Sequence, residues 1–279
     1  MAKIKRIIKK IYSLILKPEM KILPGNLAFF LVLSVAPIIT LIGVICSSLS
    51  LSTDVISNFM NEYFPTQISN ILVPFFSGQG VTTNVVIFTI IGFFVASNGT
   101  HAIIIASNRL YKVEDSSYVK KRLKAFHMII LLILLIIFML VFIAFGSGII
   151  SFLTQHLTGY LSKIVYYIYL IVKWPIGLSF IFMIVKLIYT IAPDIKISSK
   201  NVNKGAIFTT IGWIIVTFIY GYYATNIANY DMFYGSLSSI IVMMFWFYLV
   251  AYILVIGIAI NVSTYKREET MDKIEKNES

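Results

Sequence analysis

Long apolar runs separated by short polar ones dominate the chain from residue 27 onward. Six of them, near 27–49, 84–106, 128–153, 164–192, 205–228 and 236–265, reach the about 20 helical residues needed to cross a hydrocarbon core. The pattern predicts an all-α polytopic membrane protein: one integral membrane domain over 1–265 and a charged tail over 266–279. Two other segments have a different rhythm. Ile4, Ile7, Ile8, Ile11, Leu14 and Ile15 recur at helical spacing among Lys3, Lys5, Arg6, Lys9, Lys10 and Lys17. That alternation predicts an amphipathic helix within 1–23 lying in the membrane interface, lysines towards anionic headgroups; a solvated basic arm is the alternative. Charge interrupts the apolar residues too often for the h-region of a signal peptide. Pro24-Gly25-Asn26 is expected to turn the chain, with Asn26 capping the first span. Between 52 and 83, Val55, Ile56, Phe59, Met60, Tyr63, Phe64, Ile68, Ile71 and Leu72 predict two short amphipathic outer helices, broken at Pro65 and stopped near Pro74. They would lie on the outer surface, cap the bundle or cover a cavity as a lid.

Composition agrees with the pattern. Apolar residues make up 58% of the 279 and charged ones 13%, too few charges to cover a soluble surface of this size. The mean hydropathy is +0.88. The single cysteine, Cys46, cannot form an intramolecular bridge. A net charge of +11 could point to nucleic acid, but its distribution points to membrane orientation instead. The basic residues fall before residue 27 (Lys3 to Lys21), in 107–125 (Arg109, Lys112, Lys120, Lys121, Arg122, Lys124), in 193–204 (Lys196, Lys200, Lys204) and in the tail (Lys266, Arg267, Lys273, Lys276). The alternate loops hold only Lys163, against Asp54, Glu62 and Asp231. Twenty of the 23 Lys and Arg thus share one side, which the positive-inside rule makes cytoplasmic, with both termini there.

Polar residues inside spans are costly and face protein or water. Asn98, His101, Ile105 and Asn108 follow helical spacing, so three polar side chains share one face of the second span. Gly92, Ala96 and Thr100 place small residues where another helix can approach closely. His101 is either a proton relay or substrate contact, or a neutral histidine bonded between helices. His127 and His156 flank the third span at opposite faces and cannot join it around a metal. In the fourth span Lys173 stands beside Trp174 and Pro175. It faces an internal cavity, or snorkels to the outer headgroups beside an aromatic belt. Lys186 is expected to snorkel to the cytoplasmic side. Pro37 and Pro175 each remove a helical hydrogen bond and predict kinks.

Three motifs carry a resemblance. LAFFLVLSVAP (27–37), GFFVASNGTHAIIIASNRLY (92–111, with Asn108, Arg109 and Tyr111) and YGSLSSIIVMMFWFYLVAYILVIGIAIN (234–261, with Tyr234, Gly235, Ser236 and Asn261) stand in this order. They resemble the YihY/BrkB family of inner-membrane proteins over about 14–261. The resemblance implies a multi-pass protein of the bacterial cytoplasmic membrane, with transport as the expected role. The family was formerly labelled ribonuclease BN, and some members were called virulence factors for serum resistance. The family usually has a glutamate where this chain has Ala259, so any proton or cation role of that carboxylate does not carry over.

The ribonuclease label finds no support in the residues. Metal-dependent hydrolysis needs clustered carboxylates or histidines. The cytoplasmic acids Glu19, Glu114, Asp115, Asp194, Glu268, Glu269, Asp272, Glu275 and Glu278 have no such spacing. There is no P-loop and no dinucleotide fingerprint. No enzyme activity, metal, cofactor or nucleic-acid partner is therefore expected. Two classes remain. In one, Asn98, His101, Asn108, Lys173, Tyr220, Tyr222, Tyr223 and Asn226 line a path for a small anionic or lipid substrate. In the other, the same residues glue helices in a scaffold or partner-binding protein. Membrane lipids are partners in either, and homo-oligomers stay open. Reporter fusions should place 107–125, 193–204 and both termini in the cytoplasm and 52–83 outside. An external signal from 107–125 would sink the six-span topology.

Overall fold

A computed structural model describes residues 18–48, 83–114, 116–156, 160–227 and 234–278, with single positions 54, 57, 58, 61, 69 and 232. The interfacial helix expected before residue 18, and the outer-loop helices apart from those single positions, lie outside the described residues. The described chain is helical: α1 Pro18–Ser48, α2 Thr83–Tyr111, α3 Tyr118–His156, α4 Tyr160–Ile191, α5 Asn203–Asn226 and α6 Ser238–Glu278, the last preceded by a 3-10 turn at Gly235–Leu237. No strand occurs among the described residues. Six helices are long and apolar enough to cross a membrane.

Three boundaries differ from expectation. Residues 24–26 do not turn the chain, because α1 runs straight through Pro24 and Asn26 is an exposed helical residue. Met20, Leu23, Leu27 and Ala28 form a continuous buried stripe. Close packing of this stripe against neighbouring helices works against the about 3 kcal/mol cost of an interior proline. The third helix begins at Tyr118, ten residues before the expected 128. Lys120, Lys121, Arg122 and Lys124 are therefore helical rather than loop residues. At the C-terminus the charged tail continues α6 as helix to Glu278.

Neighbouring helices pack in chain order from α1 to α6, and α6 returns to pack on α1, α2 and α5. Two apolar cores are stacked in this bundle. One joins Leu23, Leu27, Tyr189, Val202 and Ile258 at the end carrying the basic segments. The other joins Leu41, Ile137, Tyr220, Val242 and Trp246 towards the opposite end. Lipid is as apolar as a core, so close packing and hydrogen bonds must select helix partners. Ser34, fully buried in α1, donates to Phe30 O at 2.7 Å and accepts from Gly99 N in α2 at 3.0 Å. The approach is close enough that a Cβ on Gly92 would touch Pro37 Cβ at 3.5 Å. Of the three small residues expected to admit a neighbour, Thr100 turns to α3 instead, donating to Ala125 O at 3.0 Å.

The tightest junction joins α4, α5 and α6. Tyr189 Oη lies 2.5 Å from Thr209 Oγ1 and donates to Leu254 O at 2.9 Å. Asn261 Oδ1 accepts Gly205 N–H at 2.8 Å. A Cβ on Gly257 would collide with the Tyr189 and Thr209 hydroxyls and lie 2.9 Å from Tyr189 Cζ. Gly257→Ala is therefore expected to cost about 1–3 kcal/mol, read as a lower melting temperature in detergent. Gly25→Ala, where nothing lies within 4 Å, should be neutral or gain about 0.5–1 kcal/mol. Equal melting of the two variants would refute the packing account.

Candidate functional site: a polar seam between two helices

The α2 helix ends in a tight reversal: Val113 N donates to Asn108 O at 3.0 Å and Lys112 adopts φ 57°, the left-handed turn that closes many helices. A short link then returns the chain into α3, so the two helices run antiparallel from the basic end. The polar face of α2 meets α3 along this line. Asn108, His101 and Asn98 descend in that order, opposite Ser116, Tyr118 and Arg122.

At the top, Asp194 is the organising group. It follows α4, where Pro193 is buried. Its Oδ2 accepts from Asn108 Nδ2 at 2.7 Å and Ser116 Oγ at 2.8 Å. Its Oδ1 pairs with Lys124 Nζ at 2.7 Å, and its own N–H donates to Asn108 Oδ1 at 2.9 Å. Lys124 Nζ also donates to Ala192 O and Pro193 O at 2.9 and 2.7 Å. Burial raises the Asp194 pKa, but hydrogen bonds from Lys124, Ser116 and Asn108 outweigh it and hold the group at about 2. The Asn108 amide thus fastens α2 to the segment after α4 through both its nitrogen and its oxygen.

One to two turns lower, His101 faces Tyr118 edge-on at 5.8 Å between ring centroids. Below it Arg122, 7% exposed, donates from Nη1 to Asn98 Oδ1 and from Nη2 to Phe94 O, both at 2.8 Å. Its guanidinium lies 3.9 Å from the Phe94 ring centroid and 5.0 Å from that of Phe126. The direction of this side chain is unusual. Thr100 meets Ala125, and the Arg122 Cα sits on the basic-end side of that contact. Its guanidinium reaches residues 94 and 98 on the far side. Arginines near helix ends ordinarily snorkel outward; this one points away from the basic end, along α2. Its Nε is buried with no acceptor.

The other expected site residues lie elsewhere. Tyr220 is buried and donates to Val242 O of α6 at 3.0 Å, so it serves the α5–α6 contact. Asn226 is exposed and donates to Tyr222 O of its own helix at 3.0 Å. Tyr222 and Tyr223 are exposed. Lys173 is half-buried on α4 between exposed Val172 and Trp174. The chief partners of α5 are α4 and α6, whereas α2 packs on α1, α3 and α6. The second span therefore shares its polar face with the third, not with the fourth and fifth. The sequence places Arg122 in a loop, whereas α3 takes it up as a helical residue. Asp194 does lie in the loop after α4, and the signal missed was the spacing of Tyr118, Arg122 and Phe126 on one helical face. Pro37 and Pro175 lie inside α1 and α4.

Asp194 gives the top of the seam a pH dependence. Its folded pKa, about 2, lies below its ordinary 3.8. The stabilisation is complete above that ordinary value and is lost as pH falls towards 2. Asp194→Ala should cost about 1.5–3 kcal/mol at neutral pH, the range for hydrogen bonds to charged groups. The difference from the unsubstituted protein should shrink as the medium is acidified to pH 2. Detergent melting curves across pH check this, and a pH-independent difference would contradict it.

Family motif residues sit at structural joints. Tyr111 packs edge-on with Tyr265 at 5.9 Å, Arg109 and Tyr234 are exposed and Asn261 is buried. Gly235 starts the 3-10 turn at φ 53°, a conformation that favours glycine, and the Ser236 side chain lies outside the described residues. Ala259 is buried. The family model described as "Virulence factor BrkB" matches residues 15–279. A protein of Bacillus subtilis (strain 168) named only as ribonuclease-like, YfkH, is 31% identical over 271 residues, covering 95% of this chain and 98% of its own. No solved structure matches. With near-complete coverage by both, on a bundle of six membrane-length helices, this chain belongs to the BrkB family.

Proposed function

We propose that this protein sits in the bacterial cytoplasmic membrane with both termini in the cytoplasm, and there transports or otherwise handles an anionic lipid or organic anion. The supporting observation is Arg122: a buried cation within a membrane-length helix, held by two neutral acceptors, with no carboxylate partner among the described residues. Arg122 is the fifth residue of α3, near the basic end; a charge there costs less than the roughly 2.5–3.5 kcal/mol of a central one, and an anionic ligand supplies the compensation that its neutral partners do not. A cation would be repelled. We read the protein as neither nuclease nor other enzyme. Among the described residues no three His, Cys, Asp or Glu side chains stand where they could share a metal. RNA cleavage that survived stringent purification and vanished on mutating one cytoplasmic acid would overturn that part.

The second reading, a scaffold, is favoured by the α5–α6 contacts. Trp213 Nε1 donates to Val250 O at 2.9 Å, Trp246 Nε1 to Thr217 Oγ1 at 3.1 Å and Tyr220 to Val242 O. Those polar groups are occupied with packing. Proteoliposome flux of candidate organic anions separates the two readings, using Arg122→Gln and His101→Ala beside a melting curve for each. The transport reading expects flux in the unsubstituted protein, falling at least about tenfold in a stably folded Arg122→Gln. Absent flux, with both variants melting early, makes these residues packing elements and the protein a scaffold.

A further inference from the structure

Resting on that anion-handling reading, we infer where the ligand enters and what carries it: a phospholipid whose phosphate reaches Arg122 sideways from the bilayer, through the seam between α2 and α3. Three observations converge on this assignment.

The first is donor capacity. A guanidinium has five N–H donors. Arg122 gives one each to Asn98 and the Phe94 carbonyl, and its Nε–H meets no acceptor. A buried donor left unmade costs about 1–3 kcal/mol, more when charged. A phosphate can accept several of these N–H groups at once, with two parallel bonds from one guanidinium.

The second is access. Gly92 faces Pro37 of α1, and at 100° per residue Phe94 points away from it, on the opposite side of α2. Phe94 is 52% exposed, as are its neighbours Ile90 and Ile91 to similar or greater extents. In a helix of this hydropathy such a face is a lipid face. The ring of Phe94 lies directly over the guanidinium, so it covers the cation from the lipid side. Phe126 packs beside it, 5.0 Å from the guanidinium, so the cover on this side consists of two aromatic rings with no bonded polar group. On α3, Tyr118, whose ring meets His101 in the same seam, is also exposed.

The third is the route. From Arg122 towards the basic end the seam passes His101 and Tyr118, then ends at Asp194, whose oxygens are taken up by Lys124, Ser116 and Asn108. The upper end is closed by bonded polar groups, while the lower part is covered by the apolar rings of Phe94 and Phe126. A soluble anion coming from the cytoplasm would have to part that clasp. A lipid headgroup arriving within the leaflet would not.

The test measures lipid retention by native mass spectrometry of the full chain, reconstituted in vesicles of phosphatidylglycerol mixed with phosphatidylcholine and then extracted. Arg122→Gln removes the cation. Asn98→Asp keeps Arg122 but gives it an internal carboxylate that competes with the phosphate, and it should melt no lower than the unsubstituted protein. Lys120→Gln/Lys121→Gln removes nearby surface charge only. The expected result is preferential phosphatidylglycerol retention. It should fall at least about tenfold in both Arg122→Gln and Asn98→Asp, with little change in the double lysine variant. Unchanged retention in a folded Asn98→Asp would overturn the assignment, as would loss confined to the lysine variant. A soluble-probe arm separates the sources. If glycerol 3-phosphate binds in an Arg122-dependent way while phosphatidylglycerol does not, the lateral lipid route fails and the broader anion reading stands. If neither binds, both fail.

Discussion

Hydrocarbon has no hydrogen bond to give, so a polar group in a membrane helix must find its partner in protein. That constraint selects the helix pairs of this bundle. Apolar contact alone cannot select them, because lipid tails compete on equal terms. What does select them is a small set of side chains reaching main-chain groups of a neighbour. Ser34 reaches Gly99, Thr100 reaches Ala125, Tyr189 reaches Leu254, Trp213 reaches Val250 and Tyr220 reaches Val242. Four of the five end on carbonyl oxygens of a neighbouring helix, which have a second lone pair to offer. Each ties one face of one helix to one level of another. Apolar side chains then fill the space those ties define.

At the basic end the same rule operates with charge. One carboxylate, Asp194, gathers an amide, a hydroxyl and an ammonium from α2, the link after it and α3. Lys124 in turn takes up the carbonyls of Ala192 and Pro193, which α4 leaves over at its end. Four segments are thereby fixed by one cluster. Asn108, a candidate path residue from its sequence position, binds this cluster through both amide atoms, and its place in the family motif has a physical cause in that contact.

Arg122 is where this accounting does not close. Every other charged group of the seam meets an opposite charge, but Arg122 meets an amide oxygen, a carbonyl and two aromatic faces. Cation–π contact contributes about 0.5–2 kcal/mol, enough to ease burial but not to replace a counter-charge. An apolar residue at 122 would pack there without this cost, so the arginine is best understood through what it leaves unpaired.

The sequence by itself determined the solvent, the helix count and the end of the bundle at which charge collects, because these depend on composition and run length alone. It also determined that Asn98, His101 and Asn108 share a face, since the helical period settles that. Which helix meets that face was decided only by tertiary structure. Soluble helices advertise their buried face by contrast with a polar one; here both sides are apolar. Ile104 is fully buried and Ile91 is 55% exposed on the same helix, and nothing in the residue type distinguishes them. Pro24 was read as a turn because its local cost is visible, whereas the buried stripe that offsets it depends on neighbours far along the chain. Arg122 was read as topology because charge near a span end usually means loop. Only the folded chain, by carrying α3 back to Tyr118, placed that charge on a helix and against the polar face of α2.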